Sequence, residues 1–300
     1  MIYVVAAVFL WSAVPLLIKQ VAPPFDVRWV ALLRLAMGAG FLAVAERFVA
    51  GRARVRRRPS AKWSVGERAW LALGGACIGA NYLLYTFGVT RTTATAANLI
   101  VQVEILGLAT WGLLILKESV TRAKVAGMVL CFGGISLVAW NGESLAALAR
   151  SEHFAGNLIV GAAGLSWSLY GLSQKVLLRS RGVGETVVPI MTIAAAITVA
   201  AAAFVPPVNR APTLLEWLYV GTLGFVCTGM TYLLFARGLR LMDASTVALV
   251  ASLLPVLTMI EAHFILGEEL TGIILTGAAL VVGGVAMMVV TGEGRGASPA

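Results

Sequence analysis

Apolar residues in this chain come in long unbroken runs, and polar residues gather in the short gaps between them. A helix that crosses a bilayer needs roughly 20 apolar residues. Ten runs qualify, at about 2–21, 27–49, 69–89, 94–115, 124–140, 157–177, 185–205, 214–236, 244–266 and 271–290. Strands of a membrane barrel would be about 10 residues long and alternate in polarity. These runs are longer and do not alternate. Pro23-Pro24, Asn141-Gly142 and Pro206-Pro207 fall in the gaps, as turn residues should. The pattern predicts an all-α membrane protein with ten transmembrane helices. The first run lacks a basic flank and a small-residue cleavage site, so it predicts a retained helix rather than a cleaved signal.

Composition sharpens this reading. Of 300 residues, 59% are apolar and 12% charged, whereas a soluble domain carries about 25% charged residues. With a mean hydropathy of +0.90, the chain has too little polar surface to coat a water-soluble particle. The net charge of +9 does not imply nucleic acid, because the cations sit in clusters between apolar runs. With the N-terminus inside, 17 of the 23 Lys and Arg fall in inner loops, 5 fall outside, and Arg34 lies within the second span. That bias predicts N-in, C-in, with the Arg52–Arg58 run as a topology determinant. Cys77, Cys131 and Cys227 all lie inside apolar runs, which argues against a disulfide framework. The only histidines, His153 and His263, have no metal-ligand spacing to other ligand residues. The sequence has no phosphate-binding loop, nucleophile elbow or HExxH motif. It predicts no cofactor, no enzyme activity and no use of its own ATP hydrolysis.

Shifted by 150 residues, the chain matches itself. Tyr82-Leu83-Leu84-Tyr85 meets Tyr232-Leu233-Leu234-Phe235, and Gly127, Gly133 and Gly134 meet Gly277, Gly283 and Gly284. From Gly74 to Val138 there are 17 identities in 65 ungapped positions, where biased composition alone gives about six. Trp11-Ser12 and Lys19 meet Trp167-Ser168 and Lys175 at a shift of 156. The units are 1–147 and 154–292, each of five spans. Because five is odd, the second unit enters the membrane from the opposite side. Inverted repeats of this kind predict a secondary transporter with its site near the midplane between the halves.

These residues resemble the drug/metabolite transporter superfamily, in its ten-helix EamA-type branch. The resemblance rests on Trp11-Ser12, Lys19, Arg34, the run from Ala94 through Lys117-Glu118 to Gly133-Gly134, and its counterpart from Ala244 through Pro255 and Gly267-Glu268-Glu269 to Gly283-Gly284. It implies a ten-helix fold with both termini cytoplasmic, in the cytoplasmic (inner) membrane. It also implies movement of small metabolites, often amino acids and often outward. It suggests that Lys19 and Lys175 help close two gates. One position departs from the repeat: Ile105 stands where Pro255 stands in the second unit, so span four is expected to lack the kink of span nine.

A charge at the bilayer centre costs at least about 3 kcal/mol and needs a reason. Glu104, near the middle of span four, is expected either to carry a proton, since burial disfavours its charged form, or to bind a substrate ammonium. A neutral or paired structural carboxylate is the plainer alternative. Asn98 and Gln102 are four apart and share a helix face. Glu104 is about 200° from Gln102 on an ideal helix, so all three cannot face one narrow cavity. Span six carries Trp167, Tyr170 and Gln174 as one stripe. Trp11, Asn81, Tyr82, Tyr85, Thr228, Thr231 and Tyr232 add aromatic, amide and hydroxyl groups away from the interfacial belt. As a set they suit a pocket for amphipathic solutes; singly, core packing explains each. Arg34 is expected to pair with Glu104, attract a carboxylate or snorkel outward. Glu261 and His263 read as structural. Pro255 frees the carbonyl of Ala251 and reads as a hinge. The glycines at 127, 133, 134, 277, 283 and 284 are expected to let helices five and ten pack closely.

Together these features predict a secondary carrier exporting small metabolites, amino acids first, with proton-coupled efflux of lipophilic cations as the alternative. Its expected partners are the solute and the bilayer; no nucleic acid is implied, and the sequence leaves both a monomer and an oligomer open.

Overall fold

The computed structural model describes residues 1–50, 62–117, 121–144, 147, 150–181, 183–241, 250–251 and 253–290. The Arg52–Arg58 run, Glu118 and the start of the ninth apolar run (244–249) lie outside the described residues. The chain forms helices α1 (Ile2–Ser12), α2 (Val14–Val21), α3 (Val27–Ala50), α4 (Val65–Val89), α5 (Ala94–Ile100), α6 (Val103–Leu114) and α7 (Arg122–Trp140). After these come α8 (Glu152–Leu177), α9 (Val183–Ala202) and α10 (Leu214–Gly221). A π-helical segment, Thr222–Met230, leads into α11 (Thr231–Leu241), then α12 (Leu254–Leu266) and α13 (Gly272–Val290). Among the described residues the only extended pairing is one antiparallel bridge, Phe25 to Val208. It joins the two proline turns, with Asn209 N–H donating to the Pro24 carbonyl at 2.7 Å.

Among the described residues, seven helical stretches are long and apolar enough to cross a membrane: Ile2–Val21, Val27–Ala45, Val65–Val89, Ala94–Leu114, Arg122–Trp140, Glu185–Ala202 and Leu214–Phe235. This is a multi-pass membrane protein. Leu254–Leu266 and Gly272–Met288 are apolar but shorter. α8 has the length but carries Asn157, Ser166, Ser168 and Ser173. Phe9, Phe132, Phe204 and Phe264 are exposed, which only a lipid-facing surface tolerates in such numbers.

Helix ends follow local chemistry. Ser64 and Glu67 form a capping box at the start of α4, and Thr213 with Glu216 repeats it at α10. Asn141 and Gly267 take left-handed conformations that end α7 and α12.

Two of the spanning stretches are broken in mid-course. Between α1 and α2, Pro15 lacks the N–H that would bond back into α1. The break in 94–115 corrects the expectation of an unkinked span. No proline is needed: the N–H groups of Gln102, Glu104 and Ile105 bond to carbonyls three residues back, on Leu99, Val101 and Gln102, at 3.3, 2.9 and 2.9 Å. The turn has tightened to 3₁₀ geometry. Contact with α8 explains it. Gly164 sits so close to the break that a Cβ there would lie 2.7 Å from the Val101 carbonyl oxygen. Pro255 also differs from its expected place. It lies in the first turn of α12, where a missing N–H costs little, rather than inside a continuous helix.

α7 and α13 pack backbone against backbone. A Cβ on Gly134 would lie 2.6 Å from the Gly277 carbonyl oxygen, and one on Gly127 would lie 2.6 Å from that of Gly284. Gly133 and Gly283 face open space, so they do not share the packing role expected of them. They sit one residue, about 100°, round the helix from the contact.

Candidate functional site

A cavity of about 400 Å³ opens between α1, α3, α4, the α5–α6 break, α8, α11 and the start of α12. Its walls are largely aromatic. Trp11 meets the Tyr232 ring edge-on at 5.7 Å and the Phe235 ring at 5.1 Å. Trp167 meets Tyr170 at 6.1 Å. Tyr82 and Tyr85 face in from α4, and Gln174 completes the α8 stripe. The Asn81 amide, on the same wall, donates to the Ala163 carbonyl at 2.8 Å and so ties α4 to α8.

Among the described residues two charged groups line this cavity, Arg34 and Glu104. Arg34 is held on both sides. Its Nε–H donates to Thr228 Oγ1 at 3.3 Å, and its guanidinium lies over the Tyr82 ring at 5.0 Å. The π-helical segment sets up this support. Thr228 donates its own hydroxyl to the carbonyl of Leu223, five residues back, at 2.8 Å. That leaves the oxygen lone pairs for Arg34. Glu104 and Arg34 do not form an ion pair, and Glu104 has no hydrogen-bond partner among the described residues.

The break explains how Glu104 reaches the cavity. On an ideal helix Asn98 and Glu104 would stand about 240° apart. Each tightened step adds about 20° of rotation, which swings Glu104 round towards the Asn98 face. Both line the cavity, while Gln102 is buried outside it. The pairing of Asn98 with Gln102, drawn from regular helix geometry, gives way to Asn98 with Glu104. Thr228 and Thr231 also stay out of the cavity; Thr231 donates to the Val226 carbonyl at 2.7 Å.

Behind the cavity runs a polar chain. Asn98 Nδ2 donates to Thr258 Oγ1, and Thr258 donates to the Ser12 carbonyl at 2.9 Å. Ser12, fully buried at the α1–α2 break, has its hydroxyl 2.6 Å from both the Phe9 carbonyl and Glu261 Oε1. At one end of the bundle the Glu268 carboxylate accepts from the N–H groups of Ala94 and Thr95 at 2.6 and 3.0 Å. Lys19 is half-buried within electrostatic reach of Glu268, whereas its counterpart Lys175 is exposed. His263 is exposed, with Nδ1 2.9 Å from the Glu268 carbonyl. Val14, Val101, Phe235 and Leu254 line the cavity without having been singled out. Phe235 was findable, since the 150-residue offset pairs it with Tyr85.

Lipid-length helices thus surround an aromatic cavity that holds, among the described residues, one cation and one carboxylate. The profile of the EamA-like transporter family matches residues 1–140 and again 154–290. The chain belongs to that family, and the resemblance read from its motifs holds. A protein of Haemophilus influenzae named an uncharacterized transporter is 24% identical over 91% of this chain and 89% of its own. One from Archaeoglobus fulgidus, of the same name, is 28% identical over 76% and 78%. The uncharacterized inner membrane transporter YhbE of Escherichia coli is 27% identical over 56% and 51%. A solved structure titled only as the crystal structure of a protein shares the fold, with a TM-score of 0.67 and 20% identity over 98% of both chains.

Proposed function

We propose that this protein is a secondary carrier of the cytoplasmic (inner) membrane that exports small amphipathic organic solutes, amino acids first, by alternating access. The observation that carries the reading is the cavity: aromatic walls for an apolar body, with a guanidinium and a carboxylate for the two ends of a zwitterion. Its 400 Å³ falls within the roughly 300–1,000 Å³ of small-molecule sites. Arg34, fixed by Thr228 and Tyr82, receives the solute carboxylate; Glu104, without a protein partner, receives the ammonium.

Ten spans in two inverted five-helix units, with both termini inside, make up the architecture of this proposal. Support comes from the double family match, from the capping boxes that recur 149 residues apart, and from Tyr82 and Tyr232, repeat equivalents that face one another. The name of YhbE supports the inner membrane. Lys19 with Glu268, and Lys175 at the matching end of α8, form the two gates.

A second reading, efflux of lipophilic cations, draws on Glu104 alone, because an unpartnered carboxylate among aromatic rings also suits a cation without a carboxylate.

Proteoliposomes loaded with labelled amino acids, and separately with lipophilic cations, decide between them. Saturable efflux of amino acids is expected, with Glu104→Gln weakening apparent affinity by about tenfold, as for loss of one charge-assisted hydrogen bond. Transport of cations alone would favour the second reading. Transport of neither by folded protein would overturn both.

A further inference from the structure

Glu261 stands outside the cavity, and the proposed solute contacts do not use it. Its surroundings bear on its protonation. Ser12 has one hydroxyl proton but two acceptor-type neighbours at 2.6 Å, the Phe9 carbonyl and Glu261 Oε1. A carbonyl can only accept. If Glu261 were a carboxylate, Ser12 could satisfy one contact and would leave two oxygens pressed together. A neutral carboxylic acid resolves this: Glu261 donates to Ser12, and Ser12 donates to Phe9. The other carboxyl oxygen, Oε2, points the same way. It is buried without a hydrogen-bond partner among the described residues, a position tolerable for a neutral acid and very costly for an anion.

The charged and titratable groups around it do not offer a counter-ion. α12 packs against α1, α2, α5 and α13. α2 contributes Lys19 and α1 Tyr3, while α5 and α13 contribute none. Cys227 of the π-helical segment lies within electrostatic reach, with Arg34 beyond it. On its own helix stands His263, followed by Glu268 and Glu269. None forms an ion pair with Glu261 among the described residues.

Resting on the carrier reading, we infer that Glu261 is a proton-binding site separate from the solute cavity, and that a proton gradient drives the carrier through it. The link is Ser12. Its hydroxyl oxygen lies 2.6 Å from Glu261 Oε1 and, with that acid neutral, is the acceptor of its proton, while its carbonyl accepts from Thr258, which in turn accepts from the cavity amide Asn98. A solute that takes the Asn98 N–H now given to Thr258 breaks that link. Glu261 is half-buried, so its proton can pass to water; the anion left behind has Oε2 buried without a hydrogen-bond partner among the described residues, which favours opening of the α1–α2 turn. Proton release and solute engagement therefore act on the same turn from opposite sides.

Infrared difference spectroscopy of the purified protein in nanodiscs tests the protonation without any solute. A protonated-carboxyl band present at neutral pH is expected to vanish in Glu261→Gln, to persist in Glu104→Gln, and to shift in Ser12→Ala, which keeps the acid but removes its acceptor. A spectrum that is the same for wild type and Glu261→Gln overturns the inference. Coupling is read in proteoliposomes. One proton exchanged per solute lets a one-unit pH step sustain about tenfold accumulation; Glu261→Gln should reduce this to no accumulation while solute-for-solute exchange continues. Accumulation that survives the substitution, exchange lost with it, or drive by a sodium gradient instead would each overturn the coupling. Should wild type carry none of the solutes, the carrier reading fails, and the infrared result still decides the state of Glu261.

Discussion

Arg34 illustrates what a single side chain needs in order to serve a cavity inside a membrane. Left to itself it would extend towards the interface. Instead Thr228 and Tyr82 hold it in place. A hydrogen bond to a charged group contributes roughly 1.5–3 kcal/mol in water-soluble proteins, whereas interhelical bonds in membrane bundles average about 0.6. Thr228→Val keeps the shape and removes the acceptor. It should raise the solute's apparent KM about fivefold, near 1 kcal/mol, with little change in thermal stability. Measurement of KM beside the melting temperature checks this; an unchanged KM would mean that Arg34 does not depend on Thr228. At this scale the sequence was informative about identity but not about aim. Residue type alone marked Trp11, Tyr82, Trp167 and Tyr170, all of which line the cavity. Thr228 was singled out for the cavity and lies behind it, because the direction of its hydroxyl is set by a π-helical turn that periodicity does not reveal.

At the scale of elements, hydropathy located the helices and missed their interruptions. Runs of apolar residues look alike whether the backbone inside them is α, 3₁₀ or π. The break between α5 and α6 depends on Gly164 of α8, about sixty residues away in sequence, and so was invisible locally. Pro255 drew attention because proline is a local signal, yet the break without a proline is the one that turns Glu104 into the cavity. The paired glycines of α7 and α13 offer a clean test of packing. Gly134→Ala places a methyl against the Gly277 carbonyl and should cost roughly 1–3 kcal/mol, the usual range for overpacking. Gly133→Ala, next to it but facing open space, should be neutral or stabilising by up to about 1 kcal/mol, since Ala favours helix over Gly. Unfolding of the two variants in matched detergent measures the difference. Equal effects would mean that the helices separate easily.

For the whole molecule, the balance of Lys and Arg predicts a sidedness that labelling can test. Single cysteines at Ser60 and Asn209, in a variant lacking the three native ones, should react with an impermeant reagent from opposite sides: Ser60→Cys only from the cytoplasm, Asn209→Cys only from outside. Reaction of both from one face would overturn the ten-span inverted arrangement. The repeat itself was legible in the sequence because its 17 identities survive in register. The shape of the cavity was not legible, because it depends on where the two units differ. Leu254 stands where the first unit has Glu104, so only one wall of the cavity is acidic.

The glycine contact between α7 and α13 gains a further meaning from the same register. An offset of 150 turns Gly127 into Gly277 and Gly134 into Gly284. The contacts pair Gly127 with Gly284 and Gly134 with Gly277, so exchanging the two units maps the seam onto itself. On the inverted-repeat reading, this seam lies on the axis that relates them. On that reading, when the halves trade shapes each contact away from the axis gives way to its repeat equivalent, and this one maps onto itself. In the proposed alternating-access cycle α7 and α13 would then serve as an axle: a bearing held to backbone tolerance, about which the cavity-lining helices swing while it stays still.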